Sequence, residues 1–324
     1  MTQRLRLLPT TFALAGVVVV TGLIIYFGAG DVLRALTSVT ISGFAAYIAA
    51  QLGITLGLGL CWRMLLRGRM HGSYWLCVRG RLVRDATGEF LPFSQVGGYV
   101  LGARVITLGG VNIADATSST LADITTEFLA QLVFIGIGLS ILAHLAPSSD
   151  LLVPVTIGLS VAVLMGVGLV LVQRGGGAKV FRGITARIAS DGAALSIDRL
   201  QASLDTIYAG HYRLALAAFY HLICWFGTAT ASFIGFRALG VPLSFVDAIC
   251  IEAILHAITA LAFFIPARVG IQEAAYTVLG GIFGIPPEIS LSLSLLRRAR
   301  DFIIAVPVLL VWQGIEAKRL KANI

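Results

Sequence analysis

The sequence is dominated by apolar runs that are long enough to cross a lipid bilayer. The run from Leu151 to Val172 contains no charged residue, and about 20 apolar residues in a helix span the hydrocarbon core. Apolar residues make up 57% of the chain and charged residues 12%, and the mean hydropathy is +0.91. Because a soluble domain cannot hide that much apolar surface, we expect an all-α polytopic membrane protein. A soluble enzyme, a secreted disulfide scaffold and a disordered chain are excluded.

The apolar runs form about eight membrane segments in two halves, separated by breaks such as Pro147 and Pro286. The first half covers residues 1–172 and the second covers 214–324, with a basic linker over 173–213. The predicted spans are residues 11–28, 41–61, 118–145, 151–172, 214–236, 245–265, 271–285 and 288–314, with a re-entrant segment over 88–106. Whether the segments 88–106 and 271–285 span or re-enter is left open, as is an inverted repeat.

Arginine and lysine residues are distributed unevenly between the two sides of these segments. Of the 24 in the chain, 18 fall on one side, only Arg34 and Arg237 fall on the other, and four lie at membrane depth. Positively charged loops stay in the cytoplasm, so we expect a bacterial inner-membrane protein with both termini in the cytoplasm. The same bias explains the net charge of +8 without a nucleic-acid partner. The linker is expected either on anionic headgroups or in solvent.

The sequence carries no motif for a metal, a cofactor or a catalytic nucleophile. Cys61, Cys77, Cys224 and Cys250 are scattered without a CxxC pair, so we interpret them as small apolar residues. A glycine-rich phosphate loop, a nucleophile elbow and an HExxH motif are also absent from the sequence. We therefore expect neither a metal nor a cofactor, and no catalysis.

Proline and glycine interrupt the apolar pattern in the same way in each half. Phe90-Leu91-Pro92 is followed by Val96-Gly97-Gly98, and Phe264-Ile265-Pro266 is followed by Val269-Gly270. Backbone groups freed by such breaks are tolerated at membrane depth only where they line a cavity or contact protein. We therefore predict two re-entrant or broken segments that face a common cavity. Their motif residues are Pro92, Gly97, Gly98, Pro266 and Gly270.

Ionisable residues follow each break inside apolar surroundings. Asp123 and Glu127 form one helical stripe with Gln131, and Glu127 lies near mid-depth, where an unpaired carboxylate costs about 2.5–3.5 kcal/mol. In the second half, arginines and an aspartate share a face, and Glu273 opens a short helix whose N-terminus favours an anion. The candidate substrate-binding residues are Asp123, Glu127, Arg268, Glu273, Arg297, Arg298, Arg300 and Asp301. They form either a structural ion pair or a charged cavity for an anionic headgroup or a coupling proton.

The second half also carries a family signature. Residues Ile265 to Ala275 read IPARVGIQEAA, and Gly284-Ile-Pro-Pro-Glu and Leu296-Arg-Arg follow. These residues resemble the Pro-x-x-x-Gly-x-x-Glu-Ala, Gly-Val-Pro and Leu-x-Arg signature of the lysylphosphatidylglycerol-synthase transmembrane, or flippase-like, family. The resemblance covers essentially the whole chain. It implies a lipid transporter, with a membrane lipid as its partner.

The first half resembles the same family with two departures. Leu91-Pro92 and the helix with Asp123 and Glu127 match its pattern, but Ile124 stands where the family often has arginine, and Gly98-Tyr99 replaces a Gly-Glu pair. These departures imply different headgroup chemistry in the first half. No soluble domain follows, so the aminoacyl transfer of two-domain members is not expected. The surroundings of Glu127 resemble members associated with hopanoid biosynthesis.

Three functions are compatible with these patterns. The first is a flippase-like transporter that moves a polar or hopanoid-type lipid between leaflets. The second is a membrane-embedded lipid-modifying enzyme with Glu127 or His256 as a general base. The third is a non-catalytic scaffold for lipid-biosynthesis enzymes. A transporter has reason to keep charges at the midplane of two related halves, so it is the function we predict.

Overall fold

A computed structural model of the protein describes residues 29–66, 73–90, 94–176, 191–262 and 268–322. Within these ranges all regular structure is helical, which confirms the all-α prediction. A π-helical turn, Val172–Gly176, extends one of the helices. The helices are α1 (Ala29–Thr37), α2 (Ile41–Leu65), α3 (Ser73–Phe90), α4 (Ser94–Leu108), α5 (Ile113–Leu145), α6 (Leu152–Leu171), α7 (Asp191–Ala209), α8 (His211–Ala238), α9 (Phe245–Leu261), α10 (Ile271–Ile282) and α11 (Pro287–Ala322).

Four of the described helices are long and apolar enough to cross a bilayer: α2, α5, α8, and α6 with its π turn. Helix α6 carries no charged residue, and its outer side chains are exposed, with Leu164 72% and Ile157 60% accessible. Such a surface is stable only against lipid, so the protein is membrane-embedded. The predicted span 11–28 lies outside the described residues. Whether α9, α10 and α11 cross the membrane stays a prediction.

Helix α9 forms the centre of the second half. It is buried all round between Ala248 and His256, as expected of a helix that is apolar on every side. A capping box fixes its start, because Ser244 and Asp247 exchange hydrogen bonds between side chain and backbone. Gly138 of α5 allows the two helices to approach closely, since a Cβ there would lie 2.2 Å from the Ala253 Cβ. This packing places the polar side chains of α9 inside the protein.

Helices α3 and α4 form a tight antiparallel hairpin that begins well before the predicted re-entrant segment 88–106. A Cβ on Gly98 would lie 2.5 Å from the carbonyl oxygen of Arg84, and one on Gly102 would lie 3.2 Å from that of Gly80. The helix backbones can approach this closely because glycine has no side chain. The arginine and lysine distribution predicts that the stretch 62–117 lies on the cytoplasmic side. Pro92 and its neighbours lie outside the described residues.

Replacing Gly98 with alanine is expected to destabilise the protein by about 1–3 kcal/mol, because the new methyl group would force α3 and α4 apart. The adjacent Gly97 is the matched control, since a Cβ there meets no atom within 4 Å. Alanine at Gly97 should be neutral or stabilise helix α4 by up to about 1 kcal/mol. Thermal unfolding of the two detergent-purified variants measures the difference. Equal unfolding temperatures would contradict the hairpin packing.

Part of the predicted linker 173–213 is a packed helix, which sequence reasoning did not foresee. Helix α7 lies on α5, where Ser203 donates to Asp115 at 2.6 Å and Leu204 is buried. Tyr208 donates to Gln173 at 2.6 Å, and burial raises the pKa of the Tyr208 phenol. The apolar face of this helix is therefore covered by protein.

Candidate functional site

The first charged cluster joins α3 to α5. Arg84 donates to Asp123 at 2.7 Å and to Glu127 at 2.6 Å. Arg81 donates to both oxygens of Glu127, at 2.9 and 2.5 Å, and to Asp85 at 2.8 Å. Two arginine forks therefore hold two carboxylates, the geometry in which such hydrogen bonds are strongest. The stripe predicted on α5 is thus neutralised within the first half.

Groups on α4 and α8 complete this cluster. His221 lies 3.1 Å from the second oxygen of Asp123, and both side chains are fully buried. The Trp225 indole donates to the backbone carbonyl of Glu127 at 3.2 Å. The Arg84 guanidinium lies 4.5 Å above the ring of Tyr99, within cation–π distance. Tyr99 therefore contacts the same arginine that pairs with Asp123 and Glu127.

The second charged cluster centres on Glu252 of α9. This side chain is fully buried and accepts hydrogen bonds from Ser232 at 2.5 Å and from Tyr276. Arg297 of α11 donates to Glu252 Oε2 at 3.0 Å and to the Tyr276 hydroxyl at 2.8 Å. His256, one turn along α9, lies 3.5 Å from the same Oε2. This carboxylate therefore ties α8, α9, α10 and α11 together.

Glu273 belongs to a separate pair at the start of α10. It accepts from the backbone N–H of Gly270 at 2.8 Å and from Arg298, whose Nη2 lies 3.0 Å away. Gly270 has a φ of 87° and Arg268 a φ of 49°, so this turn needs the left-handed conformation that glycine adopts easily. Glu273 is fully buried. It caps the helix and neutralises Arg298 at the same time.

Two further pairs lie between the clusters. Arg268 donates to Glu89 of α3 at 2.5 Å, which joins the two halves of the chain. Arg300 donates to the adjacent Asp301 at 2.9 and 2.7 Å. The Arg300 guanidinium also stacks on Tyr47 at 4.7 Å. Glu89 and Arg268 remain partly exposed, at 20% and 24%.

A cavity of about 880 Å³ lies between the two clusters. Its wall includes apolar side chains such as Phe128, Met165 and Ile304, and polar ones such as Gln51 and Thr228. Among the described residues that line it, positive and negative charges are nearly balanced. The charged lining residues are Arg81, Arg84, Arg268, Arg297, Arg300, Asp85, Glu89, Glu127 and Asp301.

The structure brings five of the predicted site residues to this cavity, and the other three are not among the residues that line it. Glu127, Arg268, Arg297, Arg300 and Asp301 line it. The others are Asp123, Glu273 and Arg298: Asp123 is buried in the first cluster, and the Glu273–Arg298 pair is separate. Of the predicted motif residues, Gly98 packs on α3 and Gly270 caps α10, while Pro266 lies outside the described residues.

Sequence reasoning missed Arg81, Arg84, Glu89 and Tyr276 as site residues. The two arginines were counted among the 18 cytoplasmic charges, and removing them leaves 16 against 2, so the predicted orientation does not depend on them. One signal was present: Arg81, Arg84 and Asp85 share a helical face at spacings of three and four residues. In the parts of the chain that the structure describes, no three His, Cys, Asp or Glu side chains converge as metal ligands would. All four cysteines are free and buried.

Comparison with known proteins identifies one family. Its model, described as the lysylphosphatidylglycerol synthase TM region, matches residues 13–308. This match covers nearly the whole chain, including both charged clusters and the cavity between them. The search of curated proteins finds no match to the chain.

Proposed function

This chain belongs to the lysylphosphatidylglycerol synthase TM-region family, and on that premise we propose that it is a flippase-like transporter that moves a lipid between leaflets. A membrane-lipid function follows from the family. The transport step is supported by one observation, the charged cavity of about 880 Å³ inside a helical membrane protein. Its proposed substrate is a polar-headed or hopanoid-type lipid.

Moving a lipid headgroup through the hydrocarbon core of the bilayer costs free energy. A polar or charged group without partners costs several kcal/mol there. In the cavity, arginine and carboxylate groups from both halves can replace the water around a headgroup. Apolar lining residues, among them Phe128, Leu169 and Ile304, can contact the acyl or hopanoid part. Paired charges also keep the wall close to neutral when no lipid is bound, which limits the cost of the site itself.

We also propose a bacterial inner-membrane location with both ends of the chain in the cytoplasm. The support is the uneven distribution of arginine and lysine between the two sides of the membrane. When the buried Arg81 and Arg84 are set aside, 16 of these residues lie on the predicted cytoplasmic side and 2 on the other. A membrane lipid is the proposed partner, and enzymes of lipid biosynthesis would supply it.

Leaflet exchange in proteoliposomes tests the transport proposal. Vesicles with a fluorescent phospholipid in both leaflets are treated with a reductant that cannot cross the bilayer. We expect the fluorescence to fall by about half in protein-free vesicles, since only the outer leaflet reacts, and nearly completely in vesicles that hold the protein. A half loss in both preparations would overturn the proposal. Mass spectrometry of the same lipids separates the alternatives, because a new lipid mass would favour the enzyme.

A further inference from the structure

We propose that the cavity contains a proton-linked site for a phosphate group, in which His256 binds the proton and Arg297 and Arg268 contact the phosphate. The ligand class is a singly charged phosphodiester, as in a glycerophospholipid headgroup. Free inorganic phosphate shares that chemistry. This inference rests on the proposed function because it treats the cavity as the lipid site, but it concerns binding and can be measured without transport.

His256 is a buried ionisable group without a hydrogen bond to its Nε2. The residue is 7% exposed and lines the cavity. Its Nε2 has no hydrogen-bond partner within the described residues, although it lies 3.5 Å from Glu252 Oε2. The ring packs edge-on against Trp225, with centroids 4.6 Å apart. Buried polar atoms normally have partners, so this nitrogen is placed to bind a proton and become an ion-pair partner of Glu252.

The groups around His256 set the charge balance of the site. Helix α6 contributes no charged residue. The charges that act on His256 are those of Glu252 on its own helix, Arg297 on α11 and Arg268 before α10. The cavity wall adds Glu127 on α5 and Arg300 and Asp301 on α11, whereas His221 on α8 is bound to Asp123 and Tyr276 on α10 to Glu252.

His256 and Arg297 compete for the same carboxylate oxygen. Arg297 Nη1 lies 3.0 Å from Glu252 Oε2, and His256 Nε2 lies 3.5 Å from that atom. With a neutral imidazole, Glu252 and Arg297 cancel each other's charge. A protonated imidazole adds one positive charge and forms an ion pair with Glu252, which weakens the pairing of that carboxylate with Arg297. The positive charge of Arg297 is then available to an anion in the cavity.

The donors of Arg297 and Arg268 suit a phosphate. Within the described residues, all three hydrogen bonds of Arg297 start from Nη1, which leaves Nη2 and Nε for a ligand. Arg268 uses Nη2 to contact Glu89. Both residues line the cavity. A guanidinium fork matches two phosphate oxygens, so the two arginines form one face of an anion site.

Linkage then predicts that acid strengthens anion binding, and that the anion raises the proton affinity of His256 by the same factor. An ordinary histidine titrates near about pH 6.5. Binding of phosphatidylglycerol to the purified protein in detergent should therefore be roughly 5- to 150-fold tighter at low pH than at high pH. Diacylglycerol, which has no phosphate, should show no such change.

The test measures phosphatidylglycerol binding from about pH 5.5 to 8 for wild type, His256→Gln and His144→Gln. His144 is the control because it is exposed at the end of α5. We expect the pH dependence to disappear in His256→Gln and to persist in His144→Gln. Unchanged pH dependence in His256→Gln, equal dependence for diacylglycerol, or pH-independent binding to wild type would each overturn the inference. The wild-type measurement applies even if the variant does not fold.

Two further comparisons complete the test. The first distinguishes a lipid headgroup from free phosphate as the ligand, and the second distinguishes the phosphate site from the transport proposal. Competition by inorganic phosphate at the low-pH end of the range, where it is mainly a singly charged ion like the phosphodiester, supports the site with free phosphate as a ligand, and the absence of competition supports the lipid headgroup. Leaflet exchange without pH-linked binding would refute the phosphate site and leave transport intact. The converse, pH-linked binding without leaflet exchange, would refute transport and leave the site intact.

Discussion

Replacement of Asp123 by asparagine is expected to lower the free energy of unfolding by about 3–5 kcal/mol. Asp123 is fully buried and contacts Arg84, Arg81 and His221. The amide keeps the shape of the side chain but removes its charge, so Arg81 and Arg84 are left with one carboxylate fewer in a poor solvent. Chemical or thermal unfolding of the detergent-purified variant measures the loss.

A partly exposed carboxylate, in a pair whose arginine is exposed, provides the control for that experiment. Glu316 of α11 accepts from Arg104 of α4 at 2.8 and 2.7 Å, and the Arg104 side chain is 49% exposed. The hydrogen bond from Arg104 holds the pKa of Glu316 below its ordinary value. Water screens this pair, so Glu316→Gln should cost no more than about 1 kcal/mol. Equal losses for the two variants would contradict the buried first cluster.

Replacement of Thr228 by phenylalanine is expected to slow leaflet exchange by about tenfold or more, which corresponds to about 1.4 kcal/mol of added barrier. Thr228 lines the cavity, and the phenyl ring would occupy space that a headgroup needs. Its hydroxyl donates only to the Trp225 carbonyl of its own helix, at 2.7 Å. The substitution therefore removes no bond to another described helix. The proteoliposome assay measures the rate.

Thr230 is a matched control on the same helix. Its hydroxyl likewise donates to a carbonyl one turn earlier, that of Phe226 at 3.0 Å. Thr230 is exposed and is not among the cavity-lining residues. Thr230→Phe should therefore keep the wild-type rate. If both variants transport at that rate while folding normally, the lipid does not pass through this cavity.

The sequence predicted the helical class and several helix positions because lipid imposes a simple rule on apolar length. Helix ends were less predictable, since they depend on local caps. Helix α5 begins at Ile113, five residues before the predicted span, because Asn112 accepts from the Asp115 backbone N–H at 2.9 Å. The α3–α4 hairpin was missed for a different reason, because its arginines resemble those of a cytoplasmic loop.

The candidate site was predicted in part because charge inside an apolar helix is conspicuous. Spacing identified Glu127, Arg297 and Arg300, but it could not identify their partners. Arg297 pairs with Glu252, 45 residues away, whereas Arg300 pairs with its neighbour Asp301. Such choices are made by helix packing, which a single sequence does not encode in any periodic pattern.

The Glu89–Arg268 pair has a consequence for the order of biosynthesis. Its two residues are 179 positions apart, so at about 5–20 residues per second Glu89 is made roughly 9–36 s before Arg268. The arginine–carboxylate pairs between α3 and α5 in the first cluster join residues only 39 to 46 positions apart, which takes roughly 2–9 s. A nascent first half can thus neutralise its own midplane charges while the ribosome is still translating the second. The cavity, in contrast, acquires its last wall only after α11 has been made, because Arg297 and Ile304 of that helix line it.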